Sequence, residues 1–477
     1  MDFFAKVNEN IEANKTEMIS SLSALLSVPS VAGAPEGDMP FGIKVGEALE
    51  KVLGMAEGAG LKTYNADNYG GHVELAAGPD DNGEIVGVLG HLDVVPEGEN
   101  WDFDPYGGQI IDDFVCGRGA VDDKGPVIAV LYAMKALKEA GYQPKRSIRL
   151  ILGLDEETDW KGMDYYMQNV DALPDYGFTP DADFPAIHGE MGILVFDIAR
   201  RFTGSGEKGL LLSSIKGGTV ANAVADSARA VIRNTKNSNY DSIKELVADF
   251  RNEKNCTISC RGTGKSFEIT VKGVGAHGAH PERGVNAISL LMEFLGRLNF
   301  ANDDTNDFIG FYNDCIGHDY HGERIGCCIE DEPSGKLIFN VGKINLDKKS
   351  VELTINIRYP VTSDEETVYT GIMEVADRYN IGIVKTSHQL PVYIAKKDPL
   401  VTTLVEIYRK HTGDASAEPL VIGGGTYARA MDNIVAFGAH FPDEPELEHQ
   451  RNERISIDNM MKLARIYAEA IYELAEM

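Results

Sequence analysis

The sequence has few cysteines and no long apolar run, which argues against a disulfide-rich secreted protein and against a membrane-spanning protein. Six cysteines in 477 residues do not form the dense pattern of a disulfide framework, so we expect them to be reduced packing residues. No apolar stretch reaches the roughly 18 residues that a membrane-spanning helix needs. The first residues lack the basic segment and the apolar stretch of a secretory signal. These absences predict a cytoplasmic protein.

Basic residues are also scarce. The chain has 45 Lys and Arg against 74 Asp and Glu, which gives a formal net charge of −29. A surface this acidic repels phosphate backbones and anionic lipid headgroups. We therefore expect no nucleic-acid partner and no membrane partner. Most of the acidity is interpreted as an aid to solubility, and a minority of the carboxylates remain candidates for metal binding.

The length predicts more than one domain. A single hydrophobic core rarely grows beyond roughly 250–300 residues, whereas this chain has 477. Apolar residues at 43% and charged residues at 25% are typical of globular proteins. Two domains, each with its own core, are therefore expected.

The first part of the chain alternates strand and helix patterns. The apolar runs 85–90 and 148–154 predict strands that are buried on both faces. Polar side chains follow each run, and open α/β sheets build their sites at such strand ends. The other patterns in this part predict helices over 3–28, 42–59 and 126–140 and a strand over 72–77. An α/β domain is the expected result.

From about residue 190 the pattern changes to alternating strands, and after about 385 it changes back. The middle part predicts strands over 193–198, 267–271 and 351–357 and helices around 221–231, 242–251 and 285–299. The last part predicts helices over 400–411 and 455–475, a glycine turn at 423–425 and a strand over 434–438. The predicted fold is an α/β domain, residues 1–188 and 387–477, interrupted by an inserted α+β domain, residues 189–386, whose antiparallel sheet has one face open to solvent.

Five short motifs carry the residues that could do chemistry. They are His-Leu-Asp at 91–93, Asp-Asp-Lys-Gly at 122–125, Asp-Glu-Glu-Thr at 155–158, Pro-Asp-Ala at 180–182 and His-Gln-Arg-Asn-Glu at 449–453. Each is ordinary alone, since a histidine at a strand end or a glutamate pair is more often a packing or surface feature. Two metal ions held close together need a bridging carboxylate, nitrogen and oxygen ligands on each side, and an open place for water. The five motifs offer one candidate for each place.

This set of motifs resembles the zinc exopeptidase family of aminoacylase, carnosinase, succinyl-diaminopimelate desuccinylase and carboxypeptidase G. The resemblance covers essentially the whole chain and implies a mixed-sheet α/β/α catalytic domain interrupted by an α+β lid domain. Pro-Asp-Ala-Asp-Phe-Pro at 180–185 and Gly-Gly-Gly-Thr-Tyr-Ala-Arg at 423–429 are most similar to bacterial dipeptidases of the dipeptidase V type.

The resemblance assigns a role to each motif, and it implies two zinc ions, with cobalt or manganese as alternatives. The carboxylate of Asp93 would orient the first histidine, and Glu156 would be the general base. At the fourth motif the chain departs from the commoner Gly-Glu-Pro form, and Asp183 rivals Asp181 as a ligand. The implied metal ligands are His91, Asp122, Glu157, Asp181 and His449.

Further candidates follow from the inserted domain and the glycine turn. In Gly-Ala-His-Gly at 275–278, His277 matches the lid histidine that stabilises the oxyanion in this family. Asn222 and Arg358 match substrate-binding residues, although Arg358 could also be an ordinary cation on the sheet surface. The run Gly423-Gly424-Gly425-Thr426 has no lysine of a phosphate loop. We interpret it as a tight turn at the substrate pocket, with Gly424 and Arg429 as candidate substrate contacts.

The implied activity is hydrolysis of dipeptides, of broad specificity or directed at β-alanyl and Xaa-His dipeptides. A metal-bridging hydroxide would attack while Glu156 receives its proton, and the inserted domain would close over the substrate. Two alternatives stay open. One is a deacylase of N-acyl amino acids, of the succinyl-diaminopimelate desuccinylase or acetylornithine deacetylase type. The other is a non-catalytic relative that binds metal or peptide. A monomer is favoured over a homodimer, because a large insert could take the place of a partner.

Overall fold

The computed structural model describes residues 3–204, 208–236, 239–263 and 265–477. Its α-helices are α1 (Phe3–Ala13), α2 (Lys15–Leu26), α3 (Ile43–Gly58), α4 (Lys124–Glu139), α5 (Lys161–Asn169), α6 (Asp241–Lys254), α7 (Ala287–Leu295), α8 (Asp303–Cys315), α9 (Glu365–Arg378), α10 (Pro399–Thr412) and α11 (Ile457–Glu476). Short 3-10 helices span Pro281–Arg283 and Tyr427–Ala430.

The strands follow in chain order. They are β1 (Lys62–Asn65), β2 (Gly71–Leu75), β3 (Ile85–His91), β4 (Gln109–Ile111), β5 (Phe114–Cys116), β6 (Ser147–Gly153), β7 (Tyr176–Thr179), β8 (Ala182–Asp183), β9 (Ile187–Glu190), β10 (Gly192–Arg201), β11 (Leu210–Gly217), β12 (Ser227–Asn234), β13 (Thr257–Thr263), β14 (Ser266–Lys272), β15 (Glu330–Asp331), β16 (Gly335–Lys336), β17 (Ile338–Leu346), β18 (Ser350–Tyr359), β19 (Gly382–Gln389), β20 (Val392–Tyr393), β21 (Leu420–Ile422), β22 (Ile434–Ala436), β23 (Ala439–His440) and β24 (Arg454–Ser456).

The chain divides into two compact units. The first comprises Met1–His188, Ile394–Leu420 and Gly425–Met477, and the second comprises Gly189–Tyr393 and Val421–Gly424. The return to the first domain that we expected at 387 falls inside β19, which pairs with β10, so the second unit continues to Tyr393. The assignment of Val421–Gly424 to the second unit has no counterpart in the sequence pattern.

The first unit is built on a mixed sheet, as predicted for its α/β class. Its strand order is β1-β2-β6-β3-β7-β22-β9. Strand β3 runs parallel to β6 and β7, and β22 runs parallel to β7. The β3 and β6 register sets His91 beside Gly153. The parallel pairing therefore brings the His-Leu-Asp and Asp-Glu-Glu motifs to the same edge of the sheet.

Both faces of this sheet are covered, which explains the continuous apolar runs. Val88 and Leu150 belong to the main core with helices α1 to α4, α10 and α11. Their neighbours Leu89 and Ile151 belong to a separate cluster around Tyr166 and Tyr427. Successive side chains of a strand point to opposite faces, so the sheet has a core on each side. The predicted N-terminal helix over 3–28 is two helices that meet at Asn14, and the apolar spacing, which continues across the junction, could not reveal the break.

The second unit contains an eight-stranded sheet, ordered β13-β14-β12-β11-β17-β18-β10-β19. Every neighbouring pair in it is antiparallel, as predicted. The helix that we predicted around 221–231 is wrong, because 227–234 form β12 between β11 and β14. The alanines of this segment favour a helix, but Ala228, Ala230 and Ile232 alternate toward the core and the strand pairing prevails.

The structure tests two expectations from the sequence, that the cysteines are reduced and that no helix spans a membrane. All six cysteines are free thiols. Among the described residues, no helix combines the length and the apolar character that crossing a membrane requires.

Candidate metal centre

The structure gathers candidate metal ligands of the first unit into two groups. One group is His91, Asp122 and Asp181, and the other is Asp122, Glu157 and His449. Within each group, one ligand atom per residue lies within 4.8 Å of the others. Asp122 belongs to both groups, which is the arrangement that a bridging carboxylate between two ions requires.

His91 is fully buried at the carboxyl end of β3. Its Nε2 lies 2.9 Å from Oδ1 of Asp122 and 3.8 Å from Oδ2 of Asp181. Its Nδ1 lies 3.0 Å from the backbone oxygen of Asp93 and 3.5 Å from that residue's Oδ1. The nearer partner of the imidazole is therefore the carbonyl of Asp93, although the sequence prediction named its carboxylate.

The Asp93 carboxylate has a second task that the sequence did not indicate. Its two oxygens accept the backbone N–H groups of Glu156 and Glu157, each at 3.1 Å. One buried aspartate thus joins the loop after β3 to the loop after β6. The adjacent pair Glu156 and Glu157 is held through its backbone N–H groups, and the carboxylate of Glu157 contacts His449.

Asp122 lies between two histidines. Its Oδ2 is 3.0 Å from Nε2 of His449, and the same nitrogen is 3.0 Å from Oε1 of Glu157. Burial would raise the pKa of Asp122, but its hydrogen bonds with His449 and His91 outweigh burial and lower that pKa. Asp122 therefore stays ionised, as a ligand shared by two cations must.

The other carboxylates of the cluster are crowded and short of positive charge. Burial, with the nearby Asp181 and Glu157, raises the pKa of Glu156 to about 9. Burial and the charge of Asp122 raise the pKa of Asp181 to about 7. Burial also raises the pKa of Glu157. Bound dications would offset this repulsion and restore the ionised forms, so the donor set fits two metal ions.

The geometry separates the two rival aspartates of the fourth motif. Asp181 lies in the first ligand group. Asp183 is exposed and its Oδ1 lies 3.0 Å from Nδ1 of His440. The short parallel pairing of β8 and β23 holds this contact, so only Asp181 is a candidate ligand.

The Asp183 and His440 pair predicts a pH-dependent contribution to stability. The hydrogen bond to Asp183 raises the pKa of His440 to about 9 against the opposing effect of burial. A group whose pKa is raised by folding stabilises the fold below its unfolded pKa, roughly 6.5 for His, and loses that effect as the pH rises through the folded value. We expect the pH-dependent part of the difference in unfolding free energy between wild type and His440→Gln to be largest at pH 6 and to vanish by about pH 10. Urea unfolding across this range measures it, and a difference that is constant with pH would contradict the assignment.

Two buried acids that the sequence analysis did not select support the site. Glu453 is fully buried, and its Oε1 accepts the backbone N–H groups of Val121 at 2.8 Å and of Asp122 at 3.2 Å. Its Oε2 accepts a hydrogen bond from Arg118 Nη1 at 2.6 Å. Asp123, also fully buried, accepts the backbone N–H of His91 at 3.1 Å. The signal in the sequence was their place in the motifs, since Asp123 follows Asp122 in the second motif and Glu453 ends the last one.

The candidate substrate residues are divided between the units. His277, Asn222, Arg358 and Gly424 belong to the second unit, and Arg429 belongs to the first. Arg358 is only 4% exposed and its Nε donates to Oδ1 of Asn356 at 3.0 Å, so the alternative of a surface cation is wrong. Partial burial and the charge of Arg358 lower the pKa of His277, which keeps its imidazole neutral near pH 7.

Comparisons with known proteins agree with this geometry. The sequence model of Peptidase family M20/M25/M40 matches residues 87–473. A protein of Staphylococcus haemolyticus named "Putative dipeptidase" is 36% identical over 471 residues, covering 98% of both chains. A protein of Bacillus subtilis with the same description is 36% identical over 467 residues, covering 97% of this chain and 98% of the relative.

Solved structures show the same fold at low identity. Aminoacylhistidine dipeptidase from Vibrio alginolyticus is similar with a TM-score of 0.57 and 16% identity, covering 96% of this chain and 95% of that one. The di-peptidase Dug1p from Saccharomyces cerevisiae is similar with a TM-score of 0.56 and 13% identity over the full length of both chains. At such identities the likeness concerns the fold alone.

Proposed function

The chain belongs to peptidase family M20/M25/M40 and is a peptidase, and from this we propose that it is a dizinc dipeptidase. Its substrates would be unblocked dipeptides, among them β-alanyl and Xaa-His dipeptides. The observation that carries the proposal is the sharing of Asp122 by two groups of candidate ligands, in a chain whose full-length relatives are named dipeptidases.

Each ion would be held by residues already in place. The first would bind His91, Asp122 and Asp181, and the second would bind Asp122, Glu157 and His449. Imidazole and carboxylate ligands suit zinc, and the same donors accept cobalt or manganese. Bound there, the ions would lower the pKa of a water molecule to near 7 and polarise the scissile carbonyl.

Glu156 is the proposed general base. Its carboxyl, whose pKa burial raises to about 9, becomes a base near neutral pH only when positive charge lies beside it. It would accept the proton of the attacking water and pass that proton to the departing amine. The hydrogen bonds from the backbone N–H groups of Glu156 and Glu157 to Asp93 fix the position of the base relative to the neighbouring metal ligand Glu157.

Further residues are proposed to bind the substrate and its transition state. A neutral His277 can donate a hydrogen bond to the oxyanion that develops on the scissile carbonyl. The planar fork of Arg358 suits the free carboxylate of a dipeptide, since it binds two oxygens at once. Asn222, Gly424 and Arg429 are proposed as further substrate contacts.

A panel of small amides tests the substrate class. We expect metal-dependent hydrolysis of free dipeptides and of a β-alanyl dipeptide, and much slower hydrolysis of a tripeptide and of N-acetyl and N-succinyl amino acids. Chromatographic detection of released amino acids, with and without a chelator, measures each rate. Faster hydrolysis of the acylated compounds would show a deacylase with the same mechanism. No hydrolysis of any compound in the presence of metal would contradict catalysis.

A further inference from the structure

The candidate residues His277 and Asn222 lie on two loops of the second unit that are paired through their backbones. The N–H of Gly278 donates to the carbonyl of Asn222 at 2.7 Å, and the N–H of Val224 donates to the carbonyl of Ala276 at 2.9 Å. Ala223 and His277 form an isolated antiparallel bridge. Both residues keep much of their surface exposed to solvent, so the backbone pairing fixes the position of the main chain from which each side chain extends.

A buried asparagine on the neighbouring strand anchors this pair of loops. Asn340 lies on β17 and is 1% exposed. Its Nδ2 donates to the carbonyls of Ala221 at 2.9 Å and of Ala223 at 3.1 Å. These are the two carbonyls on either side of Asn222, so both protons of one side-chain amide are used on one loop.

The close approach of the loops depends on glycines at the points of contact. A Cβ at Gly342, on the same strand as Asn340, would lie 2.4 Å from the Ala221 oxygen. A Cβ at Gly278 would lie 2.8 Å from the Asn222 oxygen. The loop therefore packs against β17 on one side and against the His277 loop on the other, with Asn340 supplying the side-chain hydrogen bonds to it.

The contact between Asn340 and the loop requires a hydrogen-bond donor at position 340. Two carbonyl oxygens face the amide nitrogen of Asn340, and its Oδ1 has no hydrogen-bond partner in the described part of the chain. An ionised aspartate of the same shape would offer only acceptors and would repel both carbonyls, and a protonated one could donate to only one of them. The substitution Asn340→Asp thus removes at least one of the two anchoring bonds with almost no change in volume.

We propose that Asn340 is a positioning residue of the reaction. It fixes the loop that carries Asn222 and, through the backbone pairing with 276–278, the place of His277. The inference rests on the proposed function, in which His277 stabilises the oxyanion and Asn222 contacts the substrate. A misplacement of such groups by about 1 Å costs on the order of 10²-fold in rate.

Steady-state kinetics on a dipeptide test the catalytic part. Asn340→Asp lowers kcat on the order of 10²-fold with a smaller change in KM and with unchanged metal content, because every candidate ligand lies in the first unit. Asn345→Asp, the same change at an exposed position of β17, leaves kcat unchanged. Adding Asn340→Asp to a His277→Ala protein causes a smaller further loss than it does in wild type, since the part that acts through the imidazole is already gone and only the part that acts through Asn222 remains. Independent, multiplying losses would overturn the proposal.

Amide hydrogen exchange tests the anchoring of the loops independently of catalytic activity. Asn340→Asp speeds amide exchange in peptides that cover 219–226 and 274–280 but not in peptides from β10 and β18. Unchanged exchange at the two loops overturns the inference while the dipeptidase proposal stands. A wild type that hydrolyses no dipeptide overturns the proposed function instead, and exchange still decides the anchoring. If the aspartate variant does not fold, Asn340→Ala replaces it in both measurements.

Discussion

Replacing Glu156 with glutamine is expected to lower kcat for dipeptide hydrolysis by about 10²–10⁴-fold, the contribution typical of a general base, without loss of bound metal. Glutamine keeps the shape of the side chain but cannot accept a proton. The ligand groups contain Glu157 and not Glu156, so metal content should not change. Initial rates with a saturating dipeptide and elemental analysis of the same preparation measure both quantities.

The control for this experiment is the same substitution at an exposed glutamate of the first unit. Glu99 is exposed and lies outside both ligand groups, so Glu99→Gln should retain wild-type kcat and metal content. Loss of metal from Glu156→Gln would mean that Glu156 is a ligand and not the base. Retention of most of the activity would place the proton transfer on another residue.

Much of the first unit could be predicted because its signals are local. The runs at 85–90 and 148–154 are apolar throughout since both faces of β3 and β6 are buried. Polar residues that directly follow such strands must lie at the same edge of a parallel sheet. The sequence alone therefore predicts that His91 lies close to Glu156 and Glu157.

What could not be predicted depends on partners that are distant in sequence. The hydrogen bond between Arg118 and Glu453 joins residues separated by 335 positions, and that from Asn340 to Ala221 spans 119. No periodicity reports such contacts. The strand β12 was missed for a related reason, because pairing with β11 and β14 on both sides overrides the helical preference of its alanines.

The second large effect is expected at Asp122, because it is the one residue common to both ligand groups. Its two oxygens face different histidines, His91 at 2.9 Å and His449 at 3.0 Å. Asparagine offers one oxygen and no charge, so Asp122→Asn should weaken both sites at once. We expect the loss of affinity to exceed the roughly 10–100-fold typical of outer-sphere partners and the activity to disappear with the metal.

Ligands that belong to only one of the two groups provide the control for this prediction. Asp181→Asn alters only the first group and Glu157→Gln only the second, so each should retain about one of about two zinc equivalents. Asp80→Asn, at an exposed position of the first unit, should retain both. Elemental analysis after dialysis against buffered zinc orders the four variants. Equal stoichiometry in Asp122→Asn and Asp181→Asn would contradict a bridging role, since a shared carboxylate must affect both ions and a terminal one only its own.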